Sequence, residues 1–190
     1  EINVKSTSTN KERNEMSKLL SFRGEIDCSD NAISKNNEIF SYNSPDLTRA
    51  WKVKSFYLWP KTIKASIGTS DGQQCLSASL ATDVVGSIGF ADVCSVQDNR
   101  QIGWIVKGYN MRAAASDFIA SPTGLEDNGA VLDPDHIVNR NLYINMTMAS
   151  DSTTSPVRAY NYLLILESVK INENEAILQM VKGVAQDIRN

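Results

Sequence analysis

The sequence predicts a mainly β protein: an antiparallel β-sandwich with an extended N-terminal arm, closed by one C-terminal α-helix. Three observations carry this reading. Apolar residues alternate with a period of two in several segments, most clearly from Ala50 to Trp59 and from Asn141 to Met148. Clusters of Gly, Pro, Ser, Asn and Asp interrupt these segments at short intervals. A period near that of a helix occurs once, at the C-terminal end.

The elements follow in order. Residues 1–17 (EINVKSTSTNKERNEMS) hold only Ile2, Val4 and Met16 as large apolar groups. Such a segment cannot bury enough apolar area to offset its ordering entropy. It reads as an arm that needs a surface to lie on, either a neighbouring subunit or its own body. Residues 18–190 read as a single domain, a size for which one sizeable core suffices. Leu19–Ile26 is expected as the first strand. Glu38–Asn43 is a short second one, stopped by Ser44-Pro45. From Ala50 to Trp59 the odd positions Trp51, Val53, Ser55, Tyr57 and Trp59 share one face. Lys52 and Lys54 sit on the other, which turns apolar at Phe56 and Leu58, so burial on both sides is expected there. Pro60 stops the strand. Lys61–Ile67 alternates again, and residues 68–72 turn. Cys75–Ala81 and Ser87–Phe90 are weaker strands, and Arg100–Met111 is rich in aromatic and β-branched residues.

Residues 113–139 have no clear period. Pro122, Gly124, Gly129 and Pro134 mark them as a loop, long enough to suggest a functional or interface role. Leu142, Ile144, Met146 and Met148 then line one face of a strand. Asn141, Tyr143, Asn145 and Thr147 line the other. After the polar loop 151–156, residues Arg158–Ile171 return as a strand that is apolar through Leu163-Leu164-Ile165-Leu166, which suggests an antiparallel hairpin. The helix is expected over 173–188, capped by Asn172 with Glu175 three residues on. Ile177, Val181, Val184 and Ile188 form its apolar stripe, expected to lie on apolar surface.

Composition bounds the function classes. The 190 residues carry a formal net charge of −3, with 42% hydrophobic and 22% charged residues, which is ordinary globular usage. That balance argues against a mainly nucleic-acid-binding surface. No apolar run is long enough to span a bilayer. The chain opens on Glu1, not Met, so either the true start is missing or a leader has been removed. Three cysteines cannot all pair within one chain, and Cys75 and Cys94, set among small and apolar residues, are expected as buried free thiols. The sequon at Asn145-Met146-Thr147 falls inside a strand and reads as chance.

Few constellations carry chemistry, and no cofactor motif occurs. Asp133, Asp135 and His136 could hold a divalent metal, but Pro134 restricts their convergence. A turn with side chains bonded to nearby amides is the simpler reading, with His136 a buried hydrogen-bonding residue. Glu126 and Asp127 could serve as acid and base, though adjacent loop residues do not reliably face one another. A triad through His136 would have to be assembled in space. Trp51, Trp59 and Trp104 could form a stacking platform, but their strand spacing favours core or interface. The charges fall into opposed blocks. Arg49, Lys52, Lys54, Lys61 and Lys64 occupy residues 47–70 without an acid. Asp117, Glu126, Asp127, Asp133 and Asp135 occupy 113–139 without a Lys or Arg. Such blocks can register a docking event, so Arg49, Lys52, Lys54, Lys61, Lys64, Asp117, Glu126 and Asp127 are interface candidates; plain intramolecular neighbourliness is the alternative.

The segments RAWKVKSFYLWPKTI, LDPDHIVNRNLYINM and RAYNYLLILE followed by NENEAILQMVKGVAQDI resemble small phage and marine-virus structural proteins. An arm and about eight strands are also similar to a single jelly roll. The resemblance implies a non-enzymatic coat or capsid-associated subunit of the virion, assembling with copies of itself and other virion proteins. Residues 1–24 hold five cations against three acids, a net of +2. That is little for genome binding and favours an arm that ties subunits. Two alternatives stay open: a carbohydrate- or receptor-binding sandwich, and a hydrolase with a loop-built site.

Overall fold

The computed structural model describes residues 18–42, 48–61, 73–110, 129–150 and 157–172, and beyond them Asn174, Ile177, Leu178 and Val181. The arm 1–17 and the strand expected after Lys61 lie outside the described residues. Among the described residues eight strands follow one another: β1 (Leu19–Ser29), β2 (Ala32–Ser41), β3 (Arg49–Pro60), β4 (Gln73–Ala81), β5 (Gln101–Asn110), β6 (Val131–Leu132), β7 (Asn141–Ser150) and β8 (Val157–Lys170). They form two antiparallel sheets, one ordered β1-β8-β3 and the other β2-β7-β4-β5-β6.

The core lies between the sheets. Leu142, Ile144, Met146 and Met148 of β7 are fully buried, as are Leu76, Ala78 and Leu80 of β4. Opposite them stand Tyr160, Leu164 and Leu166 of β8 with Phe56 and Leu58 of β3. Each large side chain here contributes about 1.5–3 kcal/mol of transfer free energy. In the run Leu163-Leu164-Ile165-Leu166, Leu164 and Leu166 face the core, whereas Leu163 and Ile165 on the other face are half-buried. At one end Phe22, Phe40, Tyr42 and Trp51 interlock edge-to-face and stacked, with centroids 5.2–6.2 Å apart.

Strand β3 departs from simple alternation. Its register against β8 shifts between Val53 and Ser55, where Lys54 is the extra residue. The bulge reverses the inward phase, so Trp51 and Val53 point inward before it and Phe56, Leu58 and Pro60 after it. The sequence pattern expected there, burial on both faces, is therefore one face with a phase change.

The second face of β7 is also covered. Ser79 and Asn145 are register partners of opposite parity to the core residues, and both are fully buried. The 82–100 connection supplies the cover. Asn36, at φ 56°, donates its N–H to Asn145 Oδ1 at 2.7 Å, and its side chain exchanges two hydrogen bonds with the Val85 backbone. Further along, the Arg100 guanidinium grips the Asp98 carboxylate through two bonds of 2.9 Å. Gln101 ties Ser95, Asp92 and Trp104 together. Ser87–Phe90, expected as a strand, is part of this connection: bends lead into a 3₁₀ turn at Phe90–Asp92, with the Asp92 carboxylate accepting from Gly89 N.

Two further expectations are corrected. β7 and β8 do not form a hairpin; β7 belongs to the five-stranded sheet and β8 to the other. A six-residue connection is long enough to step across the roughly 10 Å between packed sheets, so proximity in sequence does not decide pairing. At the C-terminal end Asn174, Ile177, Leu178 and Val181 have helical backbone. Ile177 and Val181 were expected on apolar surface, yet they are 55% and 56% exposed, and Leu178 is 56% exposed. Val184 and Ile188 lie outside the described residues.

Candidate functional site: a strap along the outer edge of β3

The outer edge of β3 would present unpaired backbone groups, a ready template for a foreign strand. Residues 129–138 cover it. Trp51 and Val138 exchange two backbone bonds of 2.8 Å, and Ala130 N donates to Phe56 O at 2.8 Å. Between these points β6 turns away to pair with β5 through Gly103 and Trp104. The strap thus joins the two sheets along one side.

His136 completes the seam. Val53 N–H, at the bulge, faces no backbone acceptor, and His136 Nε2 accepts from it at 2.8 Å. The other nitrogen, Nδ1, therefore carries the proton and donates to the Asp133 carbonyl. His136 is 4% exposed, and this burial is the main cause that lowers its pKa below the usual 6.5. Asp133 Oδ1 accepts from Asp135 N at 3.0 Å, which makes the turn. The turn reading of Asp133, Asp135 and His136 describes this geometry. Both imidazole nitrogens are engaged, and among the described residues no group of three His, Cys, Asp or Glu side chains gathers to hold a metal.

The charge blocks are placed only in part. Lys54 reaches Glu167 of β8 at 3.3 Å, and Lys61 reaches Glu25 of β1 at 2.6 Å. These partners are carboxylates of the same sheet, not of the 113–139 block. Both pairs are exposed enough to contribute little to stability. Arg49 opens β3 on the surface, and Lys52 stands close enough to His136 to disfavour its charged form. Lys64, Asp117, Glu126 and Asp127 lie outside the described residues. Lys54, Ser55, Phe56 and Tyr57 meet Gly129, Ala130 and Leu132 around an open cleft of about 250 Å³.

Other candidates resolve plainly. Trp51 belongs to the core, whereas Trp59 and Trp104 are half-buried on different sheets. Cys28 and Cys94 sit in surroundings whose burial raises both thiols. Cys75, expected to be buried, is exposed, because the inward residues of β4 are the even-numbered Leu76, Ala78 and Leu80. Asn145 is fully buried, so its sequon cannot carry a glycan in the folded protein. Sequence reasoning missed the strap itself: 129–138 has no alternation because its bonds to β3 are few and one of them uses a side chain. No family model and no curated protein matches the chain.

Proposed function

We propose that the chain is a structural subunit of a virus particle, a coat or capsid-associated protein that assembles with copies of itself. One observation carries this reading, the nesting of the strand pairs. β1 pairs β8, β2 pairs β7 and β4 pairs β5, while the strap containing β6 runs along β3. A long hairpin rolled up on itself produces this order, and that is the plan of a jelly roll, the fold of many capsid subunits. The same roll also serves lectins and other binding proteins, so the fold alone does not decide the role. The terminal segment adds support. We read it as a helix over 173–188 whose apolar stripe, exposed at Ile177 and Val181 with Leu178 exposed beside them, is covered in the assembly.

The test is the mass of the purified chain by light scattering across a concentration series, with electron microscopy of the largest species. Concentration-dependent, closed assemblies are expected. A stable monomer at high concentration removes the proposal.

A second reading, a carbohydrate- or receptor-binding module, is favoured by the cleft beside Lys54, Ser55 and Tyr57, which offers polar groups next to an aromatic ring. Glycan-array binding lost on Tyr57→Ala, by a chain that stays monomeric, would move the assignment there. The hydrolase alternative draws no support from the described residues, since the chain's one histidine spends both nitrogens on backbone groups.

A further inference from the structure

A β-sandwich has four strand edges, and among the described residues two of them are blunted along their length and a third in part. The outer edge of β3 lies under the strap. β6 is two residues long and covers β5 only at Gly103 and Trp104. β2 is broken by two register shifts and by the left-handed Asn36. These are the devices by which sheet proteins avoid unwanted pairing. The fourth edge, β1, has no cover and no break, and its exposed residues include Arg23, Glu25 and Asp27. Its register against β8 runs unbroken through eleven residues, Leu19 to Ser29, with no bulge and no proline. Among the described residues no segment pairs with its other side.

The orientation of that edge follows from two hydrogen bonds. Ser168 N donates to Lys18 O, which makes Lys18 and Ser168 a hydrogen-bonded pair; Lys61 N donates to Ala159 O, which places the odd-numbered groups of β8 towards β3. With the two-residue period of an antiparallel ladder, Leu20, Phe22, Gly24, Ile26 and Cys28 bond to β8. Leu19, Ser21, Arg23, Glu25, Asp27 and Ser29 aim their N–H and C=O groups outward. The same six residues have exposed side chains.

We propose that β1 of one copy pairs antiparallel with β1 of a second copy about a two-fold axis at Gly24, joining the two three-stranded sheets into one of six strands. The charges select this partner and this register. With Gly24 opposite its own mate, Arg23 stands opposite Glu25 of the other chain, twice, and Ser21 stands opposite Asp27. A slip of two residues either way puts Arg23 against Arg23 or Glu25 against Glu25, which is destabilising. Glu25 already has Lys61 beside it, and Arg23 has no ion pair among the described residues, so the dimer supplies Arg23 with one. The inference rests on the self-assembly reading only for the partner's identity as a second copy. It concerns one contact, not the particle as a whole.

The test uses two full-length variants, Arg23→Glu and Glu25→Arg, each checked for parental thermal unfolding and examined by sedimentation alone and in equal mixture. Alone, each variant faces two like-charge contacts and is expected to self-associate roughly tenfold or more weakly than the parent. Mixed, an Arg23→Glu chain meets a Glu25→Arg chain with both contacts complementary, and association is expected to return. Arg23→Glu associating like the parent overturns the edge contact while leaving the structural-subunit reading intact. Loss in both variants without recovery on mixing assigns the edge to another partner and overturns β1–β1 pairing. A parent chain that never associates overturns both readings together.

Discussion

His136 shows how much one side chain can decide at the residue scale. Val53 N–H, like Trp51 N–H two residues earlier, points to the outer edge of β3, and there the imidazole of the strap supplies the acceptor. Removing it orphans a buried donor, which costs about 1–3 kcal/mol. His136→Phe is therefore expected to lower the urea midpoint at neutral pH. Acid should act in the same direction. The folded-state pKa lies below 6.5, chiefly because of burial, with Lys52 pushing the same way and Asp133 and Asp135 opposing. The stabilisation is complete above the unfolded value and is lost as pH falls from about 6.5 towards the folded value, with a slope of up to about 1.4 kcal/mol per pH unit. Urea unfolding of parent and His136→Phe across about pH 7.5 to 5 checks this, and the variant should lack that component of the slope. The turn at Asp133-Pro134-Asp135-His136 was legible in the sequence, and a buried hydrogen-bonding role for His136 was one of the readings it left open. The partner of His136 was not legible, since Val53 lies far away in the chain and its N–H meets the imidazole only where the strap crosses the edge of β3.

Elements divide by how their apolar residues report on them. β7 and β8 were legible because alternation and a continuous apolar run each mark burial directly. In β3 the alternation is present but changes phase, and a period-two reading cannot tell a bulge from a strand buried on both faces. β2 begins earlier than its pattern suggested, because Ala32-Ile33-Ser34-Lys35-Asn36-Asn37 is polar and irregular where the strand bulges. The C-terminal stripe was legible as a helical period, yet its burial was not. Periodicity shows that a face is apolar without showing what covers it. Val181→Asp is accordingly expected to leave the stability of the isolated domain within about 0.5 kcal/mol, because Val181 is exposed there. The same change should weaken self-association, where the stripe is proposed to be covered. Calorimetry and light scattering on the one variant separate the two effects.

For the whole molecule, sheet membership depends on which strands meet across long stretches of chain, and no local pattern encodes that. The mainly β class with antiparallel strands followed from strand-like segments alone. The split of β7 and β8 between sheets, and the strap that closes one side, needed coordinates. The arm belongs to this scale too. The buried core starts within β1, at Ile26 and Cys28, with Leu20 and Phe22 packed against it. Deleting residues 1–17 is expected to leave thermal unfolding unchanged and to weaken or alter assembly, because the contacts proposed for the arm would be lost while the domain keeps its own. Unchanged particle yield would reduce the arm to a passive tail.

The central place of β8 also sets an order of events during synthesis. The β4–β5 hairpin can close as soon as its own residues leave the ribosome. The three-stranded sheet cannot, because the strand between β1 and β3 emerges after both of them. Until then those two strands have no hydrogen-bonded neighbour in their own sheet, and the apolar faces meant for β8 stand open. The nascent chain therefore spends most of its translation with half the sandwich missing, and pairing across so long a loop is slow. Chaperone binding to ribosome-held chains should be strongest just before residues 157–170 appear and should fall once they are free.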